Sequence, residues 1–599
     1  MPAYVLKNNF TSGELSPLLH RRSDIQQHKN GLATCLNAIV DPRGGASRRF
    51  GTKYVVAAKY STKIAVLRKF EFSATQNYLL EIGEYYIRFI YDHAQIVAEY
   101  ENWVTATAYA PGDLRIESDV YYRCVVAHTS GTFATDLAAG YWVGTVETDT
   151  AYEIATPYTE DELRELRFEQ SNDVLYIFHA SHHPAKLTRY AHATWTLTDV
   201  VFEGGPFLDD NETATTLTPS AVTGNGITVT ATAAIFTSGY IGTLWKLSNG
   251  KMISTETGAF TAAEQETDYV ISGVGTVEIE IAGTWVGAVA IYRCFNLGPN
   301  TEYEAEWWYT YKVFTENTLI HIENSEDGVG FKAVCQSFTS GTINVRISTL
   351  DPSAPGQGTF RITAVAENAL SCTANVIDDI RSTDATTIWA KPAFSGSSGY
   401  PRVGKIFDGR LILACTDGEP TGVWGSSVLD YYDMKAGTND DEAFKFFFDA
   451  KGGINVAKWM ESWKQLTIST LGGEIRLEAV SGTITPSKPP NKHQDSNFGS
   501  ADIQGFVAFK SILFIDRSGR VLREYKYNLD MDAFDSQALS LLSEHILNNG
   551  GGVVDMAYQQ RQDSIVWCAL EDGTLGALTY VPDQNVIGWH RHALGGSSR

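Results

Sequence analysis

Three histidines, His179, His182 and His183, crowd into a five-residue stretch just ahead of Pro184. Imidazoles this close could ligate a metal ion. Their spacing lacks the fixed i, i+4 face of a helical metal motif, so they read as turn residues and no metal is expected. Asn439-Asp440-Asp441-Glu442 is the densest acidic cluster and offers the oxygen ligands that Ca²⁺ takes. In a chain with 70 Asp and Glu such clusters arise by chance, and this one reads as a solvated loop. His590 and His592 alternate on a strand beside Trp589 and read as core and edge residues. No G-x-S-x-G elbow, Walker-type glycine loop or H-E-x-x-H pair occurs, and the Ser-x-Asp-x-Gly-x-Thr-Trp boxes of sialidase propellers are missing. No catalytic residue and no cofactor are expected, and the chain reads as a non-enzyme.

The elements that carry these residues are strands. The stretch 551–592 divides into Val553–Gln559, 564–570, 573–580 and Val586–His592, each rich in Val, Ile, Leu, Trp and Tyr. Asp572-Gly573 supplies a tight-turn signal, because glycine accepts the positive φ such turns need. The unit is a four-stranded meander of about forty residues, the size of one propeller blade. It recurs at 166–198, with Asp173 and Asp563 before the second strands and Trp195 and Trp589 in the fourth. Weaker copies fall at 64–97, 403–432, 454–478 and 504–527. A single meander cannot bury both faces, so the copies are expected to close into a β-propeller.

The 599 residues exceed one core, so two to four domains are expected. The net charge of −23 argues against wrapping DNA tightly, yet it suits a surface that DNA slides past. No signal-peptide pattern follows Met1, and no apolar run approaches the roughly 20 residues of a membrane span. Seven scattered cysteines without a C-x-x-C pair read as core residues of a protein folded in a reducing cytoplasm.

Near the N-terminus, Asp24 reads as a helix N-cap, with Gln27 three residues on and a helix over 25–40 ended by Asp41-Pro42-Arg43-Gly44-Gly45. The stretch from Asn9 to Pro17 (NFTSGELSP), then Arg22, Asp24, Gly31, Asn37, Pro42-Arg43-Gly44-Gly45 and Arg48-Arg49-Phe50-Gly51-Thr52, resembles the start of the tail nozzle proteins of short-tailed phages. That family is also called tail tubular protein B or packaged-DNA stabilisation protein. Gly399-Tyr400-Pro401-Arg402-Val403, Val423-Trp424-Gly425-Ser426-Ser427, Phe498-Gly499-Ser500-Ala501 and Gly588-Trp589-His590-Arg591-His592 resemble later family blocks in the same order.

Within the first repeat, 102–145 resembles the small chitin-binding-type carbohydrate modules, in which surface aromatics stack on sugars. Tyr109, Tyr122 and Trp142 are the glycan-binding candidates; the same rings could instead form the core of so small a domain. Residues 201–370 alternate apolar and polar positions, as a β-sandwich insertion would. The expected fold is therefore mainly β. It comprises a short helical N-terminal platform (1–55), propeller parts at 56–101, 146–200 and 371–599, the module at 102–145 and the sandwich at 201–370.

The resemblance implies a homohexameric channel at the virion tail, assembled in the host cytoplasm, which closes over packaged phage DNA and passes it at ejection. Its implied partners are a tail adaptor ring, tail fibres or a tail needle, and host surface glycan. Phe10, Glu14, Arg48 and Arg49 are the implied adaptor or subunit contacts, the two arginines pairing with carboxylates. The proline-bearing polar stretch 481–500 is a candidate gate. The alternative is a receptor-binding or glycan-cleaving tail protein.

Overall fold

A computed structural model describes residues 7–73, 75–98, 100–144, 151–248, 252–272, 274–295, 308–326, 328–350, 357–380, 382–448, 456–530 and 532–594. Strands dominate, and the longest described helices have six residues. The chain divides into two compact units, one built from 1–201 and 400–599, the other from 202–399.

The first unit holds six antiparallel meanders, in chain order. The first has Ala65–Glu71, Asn77–Gly83 and Tyr86–Tyr91, and takes its outer strand, Glu153–Ala155, from beyond the inserted module. The second runs through Arg167–Ser171, Val174–His179, His182–Ala191 and Thr194–Asp199. The third has Val403–Phe407, Arg410–Ala414, Gly422–Gly425 and Phe444–Phe447; the fourth has Ala457–Trp463, Gln465–Thr470, Glu474–Glu478 and Asn491–Gln494. The fifth comprises Phe506–Ala508, Ser511–Ile515, Leu522–Asn528 and Ala533–Ala538, and the sixth Val553–Gln559, Ile565–Leu570, Leu575–Val581 and Val586–His592.

Second strands such as Arg410–Ala414 and Ser511–Ile515 are buried at every position. That is why they read as continuous apolar runs and not as alternation: neighbouring sheets cover both faces. One core joins the first and second sheets around Phe70, Phe89 and Trp195. Others join the third to the fourth, the fourth to the fifth through Trp459 and Phe514, and the fifth to the sixth through Leu513 and Leu578. Between second and third, the Phe178 ring lies where a Cβ on Gly404 would be, 2.4 Å away, so a glycine lets the sheets meet. The first strands of the second, third, fourth and fifth sheets lie next to one another in turn.

The fourth strands of three sheets depart from expectation. Those of the third and fifth sheets, Phe444–Phe447 and Ala533–Ala538, lie beyond the expected ends at 432 and 527. That of the fourth, Asn491–Gln494, falls inside 481–500, so four residues of the candidate gate loop are an outer strand. These strands are short or polar, as suits an edge wetted on one side. The expected start of the fourth sheet at Ile454 lies outside the described residues.

The expected helix over 25–40 is also corrected. Only Gln26–Lys29 is helical, Ile25 holds the N-cap position without a side-chain cap bond, and Asp24 pairs with Arg22 instead. Gly13–Glu14 adds parallel to the sixth sheet at Trp589, Gly31–Leu32 adds outside it, and Leu36 bridges to Arg591. Sheet pairing outweighs a weak helical preference in a stretch holding Gly31, Thr34, Cys35 and Asn37, the last at φ 54°. Gly13 has φ 61°, and a Cβ there would lie 2.4 Å from Trp589 backbone atoms.

The second unit is entirely strand and short turn among its described elements. One sheet runs in the order Leu217–Pro219, Ile227–Ala231, Ser371–Asp378, Gln357–Val365, Leu244–Ser248, Trp389–Ala390, around Trp245, Phe360 and Trp389. The other is built on two long paired strands, Gly275–Cys294 and Val329–Leu350, with a core of its own. Because Ser371–Asp378 and Trp389–Ala390 pair inside this unit, the insertion ends at 399 and not at 370. Buried Glu278 joins its two sheets, accepting from Thr387 Oγ1 while Arg346 Nη2 stands 2.7 Å and His321 Nε2 3.1 Å from it.

Candidate functional site

A cavity of about 550 Å³ opens at one end of the second sheet and is lined by Tyr158, His182, His183, Asp199 and Tyr400, among others. The hairpin turn after Val174–His179 delivers the histidines, and a 3₁₀ turn over Glu160–Glu162 faces them. Thr159 caps that turn, donating from its N–H (2.8 Å) and hydroxyl (2.9 Å) to Glu162 Oε2. This leaves Oε1 free, 3.0 Å from His182 Nε2. Burial works against the Glu162 charge, but the Thr159 bonds and His182 outweigh it and hold the carboxyl below its ordinary range. Burial also raises the Tyr158 and Tyr400 phenols, with Asp199 adding to it.

Glu162, His179 and His182 bring ligand atoms within 4.8 Å of one another. The hydrogen bonding decides what they can do. His179 Nδ1 accepts the Ser181 N–H at 3.2 Å, which places the ring proton on Nε2. That buried nitrogen has Glu165 Oε2 3.5 Å away and no hydrogen bond. A protonated Nε2 has no lone pair for a cation, so the arrangement offers two ligands, Glu162 and His182, where a structural metal site needs four. Burial pushes the His179 pKa down, consistent with a neutral donor. His183 stands apart, its ring 5.3 Å from Tyr400.

A second set of charges lies along the first strands. Lys405 Nζ sits 3.0 Å from Glu169 and 2.6 Å from Glu461; fully buried Arg167 pairs with Asp502, which Lys458 also reaches at 2.6 Å. Arg68 of the first sheet meets Asp555 of the sixth at 2.6 Å. Burial lowers the Lys405 pKa, but Glu461 and Glu169 outweigh it and keep the ammonium charged. Composition and motifs do not point to these residues; their signal in the sequence is a charge inside an apolar strand, as in Val403-Gly404-Lys405-Ile406-Phe407.

The aromatic candidates of the module turn inward. Tyr109 and Trp142 are 3% and 2% exposed, their rings 5.0 Å apart and edge-on, and Arg115 covers the Tyr109 face. Half-buried Tyr122 packs against Phe133. A domain of some forty residues needs its large rings for its own core, and neither Tyr109 nor Trp142 presents a free platform for sugar.

Glu14, an implied contact with another chain, is instead buried at the foot of the platform. It accepts from Cys35 N–H (2.6 Å), and His545 and Arg591 lie 2.9 and 2.8 Å away. Burial opposes its charge, and these partners overcome it to hold the pKa low. Phe10 is half-buried, and its N–H donates to Gly44 O. Arg48 is exposed on Ala46–Arg48, and half-buried Arg49 donates to the carbonyls of Phe50 and Ala593. Among the described residues neither arginine pairs with a carboxylate. Close by, the buried His590 Nδ1 and His592 Nε2 are 2.6 Å apart, and each ring's pKa is depressed by burial. They form part of the packed sixth sheet, beside Thr579 and Val40.

No protein-family model matches the chain, and no curated protein matches it. One similar solved structure is the extracellular domain of a one-component system from B. thetaiotaomicron, at 10% identity, covering 90% of this chain and 72% of that one. Its TM-score of 0.17 does not establish a common fold.

Proposed function

We propose that the chain is a structural subunit of a ring that forms a DNA passage, the nozzle of a short phage tail, and that its six meanders are the blades of one β-propeller. The order of the cores, the adjacency of first strands and the Arg68–Asp555 bond between sixth and first sheets support the propeller. The role rests on the colinear nozzle-like blocks from Asn9 to His592. The observation that carries it furthest is the set of paired charges on the first strands. Arg167, Lys405 and Lys458 are held by carboxylates of the same unit, so their charges are balanced within it. The middle of the unit is a brace, and the passage belongs between copies.

Six copies at −23 each carry −138, which repels phosphates and keeps DNA from adhering in transit. Native mass measurement with imaging of the assembled protein tests this reading. A closed ring of six with an acidic lumen is expected; a trimer, or a lumen lined by Lys and Arg, overturns it.

A further inference from the structure

The charge of this chain is unevenly spread. Residues 1–63 hold ten Lys and Arg against three Asp and Glu, a net +7, which leaves −30 on the rest. Immediately after the platform, residues 50–58 run without helix or strand, and among the described residues they make no backbone-to-backbone hydrogen bond. Phe50 is 82% and Tyr54 77% exposed, with Val55 also in solvent. Aromatic and β-branched side chains with unpaired backbone are the composition of a strand lacking a sheet. Arg48 precedes them and Lys53 lies between Phe50 and Tyr54, both exposed and without carboxylate partners among the described residues.

A complementary surface exists on the fifth sheet. Its outer strand, Ala533–Ala538, pairs on one side only among the described residues. Asp530, Asp532 and Asp535 are exposed along it, and Leu529 (81%) and Tyr527 stand in solvent beside it. An edge of this kind is a template for an added strand, and its charge is opposite to that of 50–58.

We infer that residues 50–58 of one copy add as a strand along the Ala533–Ala538 edge of the next copy. Arg48 and Lys53 then meet Asp532 and Asp535, and Phe50 and Tyr54 cover Leu529 and Tyr527. Donor and acceptor are different surfaces, so the contact is heterologous and repeats from copy to copy, which generates a ring when the rotation closes. This rests on the ring reading above and adds which segment grips which edge.

The test uses the full chain carrying Lys53→Cys and Asp535→Cys. All seven native cysteines are buried, so the new pair is the accessible one. Mild oxidation of the assembled double variant is expected to give a covalent ladder of copies that neither single variant gives. Lys53→Glu with Arg48→Glu is expected to weaken assembly at least about tenfold, with Asp532→Lys plus Asp535→Lys restoring it. Both sites are exposed, so unchanged melting confirms that the variants fold. A ring that forms normally in the charge variants and yields no ladder overturns this contact while leaving the ring intact. A chain that stays monomeric at every concentration and salt overturns the ring reading, and this contact with it.

Discussion

Two buried carboxylates set opposite pH limits on this protein. Glu474 is fully buried in the fourth sheet, where Ser469 and Ser496 donate to it, and burial lifts its pKa from 4.5 to about 7. A raised carboxylate leaves the fold most stable below its unfolded pKa, and stability is lost as pH rises from 4.5 through 7. Glu474→Gln is therefore expected to gain on the order of 2 kcal/mol at pH 8 and nothing at pH 4, read from melting at both pH values. Glu278 behaves in reverse. Burial opposes its charge, but His321, Thr387 and Arg346 outweigh it and bring the pKa from 4.5 to about 2. Its contribution is complete above pH 4.5 and fades as pH falls towards 2. The second unit is expected to loosen first in acid, losing on the order of 2 kcal/mol, and Glu278→Gln should flatten that acid limb. An acid limb identical in wild type and variant would refute the assignment.

At the scale of elements, the platform hangs on Gly13. Gly13→Val would push a Cβ into the Trp589 backbone and force a β-branched residue into positive φ, a cost above roughly 2 kcal/mol. Amide exchange is expected to accelerate across 13–40 while the six sheets stay protected; unchanged protection at 13–40 would contradict the pairing. This pairing also marks where the sequence stopped being readable. Meanders with tight turns and apolar second strands, such as 166–198 and 553–592, showed in the residue pattern because both strand and turn are local properties. The polar outer strands Asn491–Gln494 and Ala533–Ala538 did not, because an edge needs no apolar face. The strands within 25–40 have no helical or alternating pattern of their own, because Gly31–Leu32 pairs with Gly13–Glu14, Ala38–Val40 pairs with Ala46–Arg48, and Leu36 bridges to Arg591 more than 550 residues away. For Tyr109 and Trp142 the sequence leaves a sugar platform and a small core both open, since the two use the same rings; the inward turn settles it for the core.

For the whole molecule, the insertion is expected to be dispensable to the first unit's fold. Val200 donates to Pro184 O and Tyr400 to Ala180 O, so both ends of the excursion are tied to one hairpin. A chain with 202–399 replaced by a short Gly/Ser linker should remain folded, with one cooperative melt and the Trp195 core intact. Aggregation of that chain on expression would show that the two units fold together.

The pairing of Gly13 with Trp589 has a consequence in time. Protein synthesis runs from the N-terminus at about 5–20 residues per second, so the platform residues leave the ribosome roughly half a minute to two minutes before their seat exists. Until the last sheet emerges, Glu14 lacks His545 and Arg591, and the basic arm after the platform has no fixed base. Under the proposed ring reading, synthesis of the sixth sheet is thus the event that makes a nascent subunit competent to join others, and copies terminated before it would be kept out by the missing seat.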